Sequence, residues 1–184
     1  AMQVRRDRLP FATGIDATTP ARILTTAADA WTRHKCQRIA GFAAHYAGLI
    51  KAHHPACIVG AYMCPWTPEE YDGALARIFA QDYALLAPSI DVFTPLIYAA
   101  KSGRPPAWGR DFLEAAPAFV PTANPVQLIL DALDFPTNLL ATAEAERPGW
   151  GVQMFGGAHV FADDERAAIF AQAVEQMRRR WEAT

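Results

Sequence analysis

Two carboxylates lie where an apolar segment of the sequence ends, and one of them could take part in catalysis. Asp131 directly follows the apolar run Leu128–Leu130, so a strand over this run would place Asp131 at its carboxyl end. Glycosidases use two carboxylates on either side of the bond that they cleave. Asp131 is therefore our candidate catalytic residue, or else it belongs to the turn that leads into the next helix. Asp134 is a candidate for substrate contact, or else it caps a turn before Pro136.

Aromatic and basic residues fall in the same parts of the sequence. The aromatic residues at or just past predicted strand ends are Tyr62, Trp66, Tyr98 and Trp108. Their faces can stack on the C–H surfaces of a sugar, and Lys101 and Arg104 can donate hydrogen bonds to its hydroxyls or to an acidic group. We interpret all of them as candidate substrate-binding residues. Packing is the alternative for Trp108, because it would begin the next helix beside Pro105 and Pro106.

His159 follows the last predicted strand after a Gly-Gly pair, and it completes the set of candidate substrate-binding residues. Its imidazole could exchange a proton near neutral pH, or it could be an ordinary surface side chain. The three cysteines, Cys36, Cys57 and Cys64, lack the spacing of a zinc site. The sequence has no nucleophile elbow, phosphate-binding loop or dinucleotide fingerprint. We therefore predict neither a metal nor a cofactor.

The bulk properties of the chain limit its size class and its partners. It has 184 residues, a net charge of −2 and 52% hydrophobic residues. This length suits one domain over residues 1–184 with a substantial core. The near-neutral charge gives no broad basic surface for nucleic acid, and no apolar run reaches the roughly 20 residues of a membrane span. We expect neither partner, and the lack of a signal-peptide pattern favours the cytoplasm while leaving the compartment open.

Helical and strand patterns alternate along the chain after an N-terminal segment, residues 1–26, that we predict to be irregular. Apolar residues recur at three- and four-residue steps through a first helix at 27–53. Short apolar runs then predict strands at 56–63, 91–98, 125–133 and 149–155. Helical patterns follow them at 67–87, 108–116, 137–146 and 163–181, the first with Thr67 as its N-cap and the last with Asp163 or Asp164.

This alternation predicts an α/β fold in which a helix precedes four βα units with parallel strands. The strands are hydrophobic almost throughout, as is typical of parallel strands that are covered on both faces. Two architectures satisfy the pattern: a half or partial TIM (β/α)8 barrel, and an open doubly wound parallel sheet. Asp91 begins its strand, and we interpret it as structural because functional residues of barrels lie where strands end.

Five stretches of the sequence carry a resemblance to a known family. They are WTRHKCQRI (31–39), GAYMCPW (60–66), DVFTPLIY (91–98) with the Gly-Arg-Pro and Trp108 that follow it, LDALD (130–134) and GVQMF (151–155). In this order they resemble the C-terminal half of a bacterial family of glycoside-hydrolase-like TIM barrels. The resemblance implies a barrel that processes or binds carbohydrate at the mouth formed by its strand ends.

The chain departs from that family at one position. Arg8-Leu9-Pro10 resembles the Arg-aromatic-Pro exit of the family's fourth strand, which carries an acidic residue three positions before the arginine. Here that position is Arg5, and the nearby Asp7 lies two residues away, about 6–7 Å along a strand. The departure favours a descendant that binds carbohydrate without catalysis as the alternative to an enzyme.

Three hypotheses on function therefore stand. The first is a glycoside hydrolase in which Asp131 is one carboxylate, the second is a non-catalytic carbohydrate-binding protein, and the third is an open-sheet α/β protein with an unrelated small-molecule role. Because four βα units are half of a barrel, we expect the protein partner to be either a second copy, in a homodimer, or a missing N-terminal half.

Overall fold

A computed structural model describes residues 18–147 and 149–183 of the chain. The helices are α1 (Thr18–Thr26), α2 (Ala28–His53), α3 (Glu70–Arg77), α4 (Tyr83–Leu86), α5 (Trp108–Ala115), α6 (Thr137–Ala143) and α7 (Asp164–Glu182). The strands are β1 (Gly60–Met63), β2 (Val92–Ile97), β3 (Gln127–Asp131) and β4 (Gly151–Phe155). Short 3-10 turns follow β2, β3 and β4 at Ala100–Ser102, Ala132–Asp134 and Gly157–His159.

The N-terminal segment differs from the irregular structure that we predicted for residues 1–26. Residues 18–26 form α1, which packs against α2. Pro20 lies in the first turn of α1, where a residue without an N–H is tolerated. Residues 1–17 lie outside the described part of the chain, and so do the Arg5, Asp7 and Arg8-Leu9-Pro10 positions of the family resemblance.

The strands form one four-stranded parallel sheet in the order β1-β2-β3-β4, which confirms the α/β fold with parallel strands. Tyr62 of β1 lies opposite Thr94 of β2. Asp131 of β3 lies opposite Phe155 of β4. The order follows the chain without a reversal, whereas a doubly wound sheet reverses its order at a switch point. All four strands therefore end at the same edge of the sheet, which we call the carboxyl edge.

The hydrophobic core lies between the sheet and the helices. Phe93, Ile97, Leu128 and Leu130 of the two central strands are completely buried. The ring of Tyr83 in α4 packs edge-on against Phe93, with ring centroids 4.8 Å apart. The outer strands β1 and β4 carry exposed residues, whereas β2 and β3 are buried almost throughout. Coverage on both faces, which we predicted for all four strands, therefore describes only the central pair.

The single helix predicted for residues 67–87 was wrong, because this segment forms the two short helices α3 and α4. Ala80, between them, has a left-handed φ of 55°. Asp82 begins α4 by accepting a hydrogen bond from the N–H of Leu85 at 3.0 Å, and a side-chain cap of this kind competes with a continuous helix. Thr67, which we predicted as the N-cap, instead donates its N–H to Glu70 Oε2 at 2.8 Å.

Two other carboxylates have the structural positions that the sequence predicts. Asp163 begins α7 and accepts a hydrogen bond from the N–H of Arg166 at 2.8 Å. Asp91 lies at the amino end of β2, where its Oδ2 accepts a hydrogen bond from the N–H of Val59 at 2.7 Å and lies 2.6 Å from Lys51 Nζ. Asp91 therefore lies at the opposite edge of the sheet from the candidate site.

Gly109 of α5 packs directly against α6, and its substitution tests this contact. A Cβ at position 109 would lie 2.6 Å from Thr142 Oγ1 and 3.3 Å from Leu128 Cδ1. We expect Gly109→Ala to lower the free energy of unfolding by about 1–3 kcal/mol in urea denaturation. Gly41→Ala in α2, where a Cβ would meet no atom within 4 Å, should instead raise it by about 0.5–1 kcal/mol. Equal effects of the two substitutions would contradict the close packing of α5 on α6.

Candidate functional site

Lys101 and Asp131 form an ion pair at the carboxyl edge. Lys101 lies in the 3-10 turn that follows β2, and Asp131 is the last residue of β3. Lys101 Nζ is 2.5 Å from Asp131 Oδ2. The Asp131 side chain is only 4% exposed, whereas the Lys101 side chain is 47% exposed. The pair therefore joins a buried anion to a cation at the surface, and it holds the loop after β2 against the end of β3.

A backbone N–H and a side-chain amide donate hydrogen bonds to the other oxygens of Asp131. Its Oδ1 accepts a hydrogen bond from the N–H of Leu133 at 3.0 Å, which makes Asp131 the cap of the following 3-10 turn. Its carbonyl accepts a hydrogen bond from Asn138 Nδ2 at 2.9 Å. Among the described residues, the buried Oδ2 has no aligned hydrogen-bond donor, so its charge is compensated by the ammonium of Lys101.

The surroundings of Asp131 keep its carboxylate ionised. Burial is the largest single influence and would raise the pKa, but the nearby ammonium of Lys101 and the N–H of Leu133 outweigh it and hold the pKa below its usual value. At neutral pH the group therefore cannot donate a proton as a general acid. It can act as a base, as a nucleophile or as a buried counter-ion.

Two aromatic rings flank the ammonium group of Lys101. The rings of Tyr98 and Phe155 lie 5.3 Å apart between centroids, and Lys101 Nζ is 5.2 Å from each centroid. Both distances to the ammonium are within the range of a cation–π contact. Burial raises the pKa of Tyr98, and the negative charge of Asp131 adds to the effect. Tyr98, Lys101, Asp131 and Phe155 thus form one group, which we call the Lys101 cluster.

Asp134 connects two of the loops at the carboxyl edge. Its Oδ2 accepts a hydrogen bond from the N–H of Ala100 at 3.0 Å, although the two residues are 34 positions apart. Ala100 begins the 3-10 turn that carries Lys101. Asp134 therefore positions the Lys101 cluster from the loop that follows β3, and its contact with a substrate stays a prediction.

A second group forms around Arg104 on the same loop. Arg104 Nη2 donates hydrogen bonds to Glu70 Oε1 and, at 3.1 Å, to the hydroxyl of Tyr71. The guanidinium carbon lies 5.8 Å from the ring centroid of Tyr71 and 5.2 Å from that of Trp108. Trp66 also packs against Tyr71, with ring centroids 4.7 Å apart. We call Glu70, Tyr71, Trp66 and Arg104 the Arg104 cluster.

Trp66 and Trp108, the two tryptophans predicted to bind substrate, differ in how deeply they are buried. Trp108 begins α5 and is 6% exposed within the hydrophobic core. This burial agrees with the packing alternative for Trp108. It corrects the interpretation of Trp108 as a substrate-binding residue, because a buried ring has no free face for a sugar. Trp66 is half-buried, and its ring also packs edge-on against Phe79 with ring centroids 5.4 Å apart.

Tyr62 and His159 lie at the margins of the site. Tyr62 is exposed on β1, and its hydroxyl is close enough to Tyr98 to contribute to the rise in the Tyr98 pKa. His159 is exposed at the end of the 3-10 turn that follows β4, and its carbonyl accepts a hydrogen bond from Arg166 Nε at 2.9 Å. The contacts described for His159 do not bring it into either cluster.

The sequence analysis missed three residues of these clusters. Phe155 ends β4 opposite Asp131, and the same rule of strand ends that selected Asp131 would have selected it. Glu70 and Tyr71 lie in a segment that the sequence predicts as the first turn of an ordinary helix. Their meeting with Arg104 joins residues more than 30 positions apart, and no local pattern signals such a contact.

No family model matches the chain, and neither a curated protein nor a solved structure matches it. Within the described residues, no group of histidine, cysteine, aspartate and glutamate side chains could hold a metal ion. No helix in that part of the chain is long and apolar enough to cross a membrane. The site is therefore characterised by the geometry of the two clusters.

Removing the ammonium of Lys101 should destabilise the protein, because the buried carboxylate of Asp131 then lacks a partner. We expect Lys101→Met to lower the free energy of unfolding at neutral pH by about 1–3 kcal/mol, because a buried anion loses its partner. The loss should shrink below the usual aspartate pKa of about 3.9, because protonation removes the buried charge. In the wild type, the stabilisation from the lowered Asp131 pKa is present above that pH and is lost as pH falls through the folded-state pKa.

Lys51→Met is the matched control for this measurement. Lys51 Nζ lies 2.6 Å from Asp91 Oδ2, but the Asp91 side chain is 42% exposed. An exposed pair contributes only about 0.2–1 kcal/mol, so urea denaturation across the acidic range should show a smaller and flatter effect. Equal losses in both variants at every pH would contradict the buried charge of Asp131.

Proposed function

We propose that this chain binds carbohydrate at the carboxyl edge of its sheet. The observation that carries the proposal is the Lys101 cluster, in which the rings of Tyr98 and Phe155 flank an ammonium group paired with a buried carboxylate. A sugar presents apolar C–H faces and a rim of hydroxyls. Aromatic faces fit the first and the N–H donors of Lys101 fit the second.

The state of Asp131 favours binding over hydrolysis. A glycosidase needs two carboxyl groups beside the scissile bond, and one of them must be protonated to act as the acid. Both oxygens of Asp131 are engaged, Oδ1 by the N–H of Leu133 and Oδ2 by the ammonium of Lys101, and the side chain is only 4% exposed. It therefore suits the anchoring of Lys101 better than attack on a substrate. The basic residue at position 5, where the family resemblance implies an acid, is in line with the non-catalytic hypothesis.

We also propose that the sheet is half of a (β/α)8 barrel and that a second copy of the chain completes it. The uninterrupted order of the four parallel strands is that of consecutive barrel strands. Both outer margins expose large apolar side chains: Ile58 and the α2 residues Ile39, Phe42, Tyr46 and Leu49 on the β1 side, and Trp150 and Phe161 on the β4 side. Proteins rarely leave strand edges and apolar surface of this kind uncovered.

Phe155→Ala tests carbohydrate binding. Calorimetric titration with a panel of cello-, xylo- and manno-oligosaccharides should show binding to the wild type, with an affinity about three- to tenfold lower in the variant. Leu140→Ala is the control, because Leu140 on α6 is 46% exposed, Phe155 is 55% exposed, and Leu140 lies outside both clusters and outside the margins named for the dimer. This control should bind as the wild type does.

Two results would contradict the binding proposal. Absence of heat with every sugar at millimolar concentration would favour the open-sheet hypothesis with a different small-molecule ligand. Release of reducing sugar by the wild type but not by Asp131→Asn would assign hydrolysis in place of simple binding.

The mass in solution tests the completion of the barrel. Light scattering after size exclusion should give twice the chain mass of 20.2 kDa, because a two-fold axis would bring β1 of one copy beside β4 of the other. Tyr46→Glu, on the exposed side of α2, should shift the mass toward one chain by placing a charge in the contact. A monomeric wild type at micromolar concentration would overturn the homodimer.

A further inference from the structure

The Arg104 cluster contains an exposed aromatic ring that its neighbours hold in place. Tyr71 is 61% exposed, yet its ring packs on Trp66 and lies beneath the guanidinium of Arg104, and its hydroxyl accepts a hydrogen bond from Arg104. An exposed ring with two packing partners and a hydrogen bond at its hydroxyl has little freedom to turn away. It therefore presents a fixed surface at the exit of β1.

The backbone around Tyr71 adopts a conformation that has a cost. Tyr71, Asp72 and Gly73 have φ values of 51°, 57° and 74°, all in the left-handed region. Only Gly73 adopts such a φ freely, because the Cβ of the other two residues is crowded there. The turn sets Tyr71 beside Arg104, and strain of this kind is typical of sites that hold a side chain for binding.

Arg104 has N–H groups left for a ligand. Its Nη2 makes both of its hydrogen bonds, and within the described part of the chain Nε and Nη1 make none. The guanidinium is partly exposed, with 30% of the side chain accessible. These free donors lie beside the ring of Tyr71, so a sugar stacked on that ring could offer its hydroxyls to Arg104.

The two clusters together carry no net charge. Lys101 pairs with Asp131, and Arg104 pairs with Glu70. Each cation on the loop after β2 is therefore matched by a carboxylate from the loop or strand end beside it. A negatively charged ligand would gain little binding energy from its charge here, because both cations of the two clusters are already paired with carboxylates.

We propose that the ligand is a neutral oligosaccharide long enough to contact both clusters, and that Tyr71, Trp66 and Arg104 form a second sugar subsite. This inference rests on the proposed carbohydrate function and gives its ligand class. The first sugar unit lies against Tyr98 and Phe155, and a later unit stacks on Tyr71. The loop carrying Lys101 and Arg104 runs between the two subsites.

The test compares chain lengths and charges in Tyr71→Ala and a matched control. Calorimetry with cellobiose and cellohexaose, and with the xylose and mannose series in parallel, should show at least tenfold tighter binding of the hexasaccharide by the wild type. Tyr71→Ala should lose most of that difference while binding the disaccharide unchanged. Leu140→Ala is the control, because Leu140 is an exposed apolar side chain on α6, outside both clusters and outside the proposed dimer contact, and it should behave as the wild type does.

The salt dependence of binding and the affinity for an acidic oligosaccharide test whether the ligand is neutral. Binding of the neutral hexasaccharide should change less than twofold between low and high salt, because no charge is exchanged with the ligand. Hexagalacturonate should bind more weakly than the neutral chains. Tighter binding of this acidic chain would overturn the neutral ligand class.

The remaining outcomes separate this inference from the proposed function. Equal affinity for short and long sugars, or no loss in Tyr71→Ala, would overturn the second subsite and leave carbohydrate binding intact. No binding of any sugar would overturn both.

If Tyr71→Ala does not fold, the tryptophan emission of the wild type should still change with hexasaccharide but not with disaccharide, and this change should be absent in Trp66→Phe. An unchanged emission in the wild type would count against the subsite.

Discussion

The ion pair between Lys101 and Asp131 is the constraint on which the carboxyl edge depends. Moving a carboxylate out of water is costly unless a partner compensates its charge. Asp131 is almost fully buried at the end of β3, and the partner comes from the loop after β2. The need for compensation therefore fixes where that loop lies. It also keeps the amine of Lys101 at the surface, beside the rings of Tyr98 and Phe155.

The same loop is held from both sides by similar contacts. On the β3 side, Asp134 accepts the N–H of Ala100, next to the Lys101 ion pair. On the β1 side, Glu70 pairs with Arg104. Because parallel strands in chain order all end at one edge, the loops of neighbouring strands can reach one another there. The fold thus brings together charges that are distant in the sequence, and the clusters form where a barrel would have its mouth.

Sequence patterns predicted the elements whose signals are local. The helix over 27–53, the strand within 125–133 and the cap of the last helix at Asp163 or Asp164 all follow from periodicity, apolar runs and capping residues, and the structure ends the strand at Asp131 and caps the helix with Asp163. The break between α3 and α4 was missed because the helical pattern of residues 67–87 hides the second cap at Asp82.

The site was predictable only in part. The rule of strand ends placed Asp131 and Tyr98 at the carboxyl edge, but it gave no indication that Lys101 would neutralise Asp131. It also made Trp108 a candidate for substrate contact, whereas the helix pattern that begins at this residue gave the packing alternative, which agrees with the ring's position in the core. The Arg104 cluster depends on the left-handed turn at Tyr71. Tyr71 makes this turn unexpected, because a bulky residue rarely has a positive φ, whereas Asp72 and Gly73 tolerate one.

Amide NMR spectra of the full chain, recorded with and without a neutral hexasaccharide, would locate the sugar-binding residues on the structure. We predict that the largest shifts fall on the ends of β2, β3 and β4 and on the loop carrying Lys101 and Arg104, with a second set around Tyr71. Shifts confined to the opposite edge of the sheet, around Asp91, or no shifts at millimolar sugar, would contradict it.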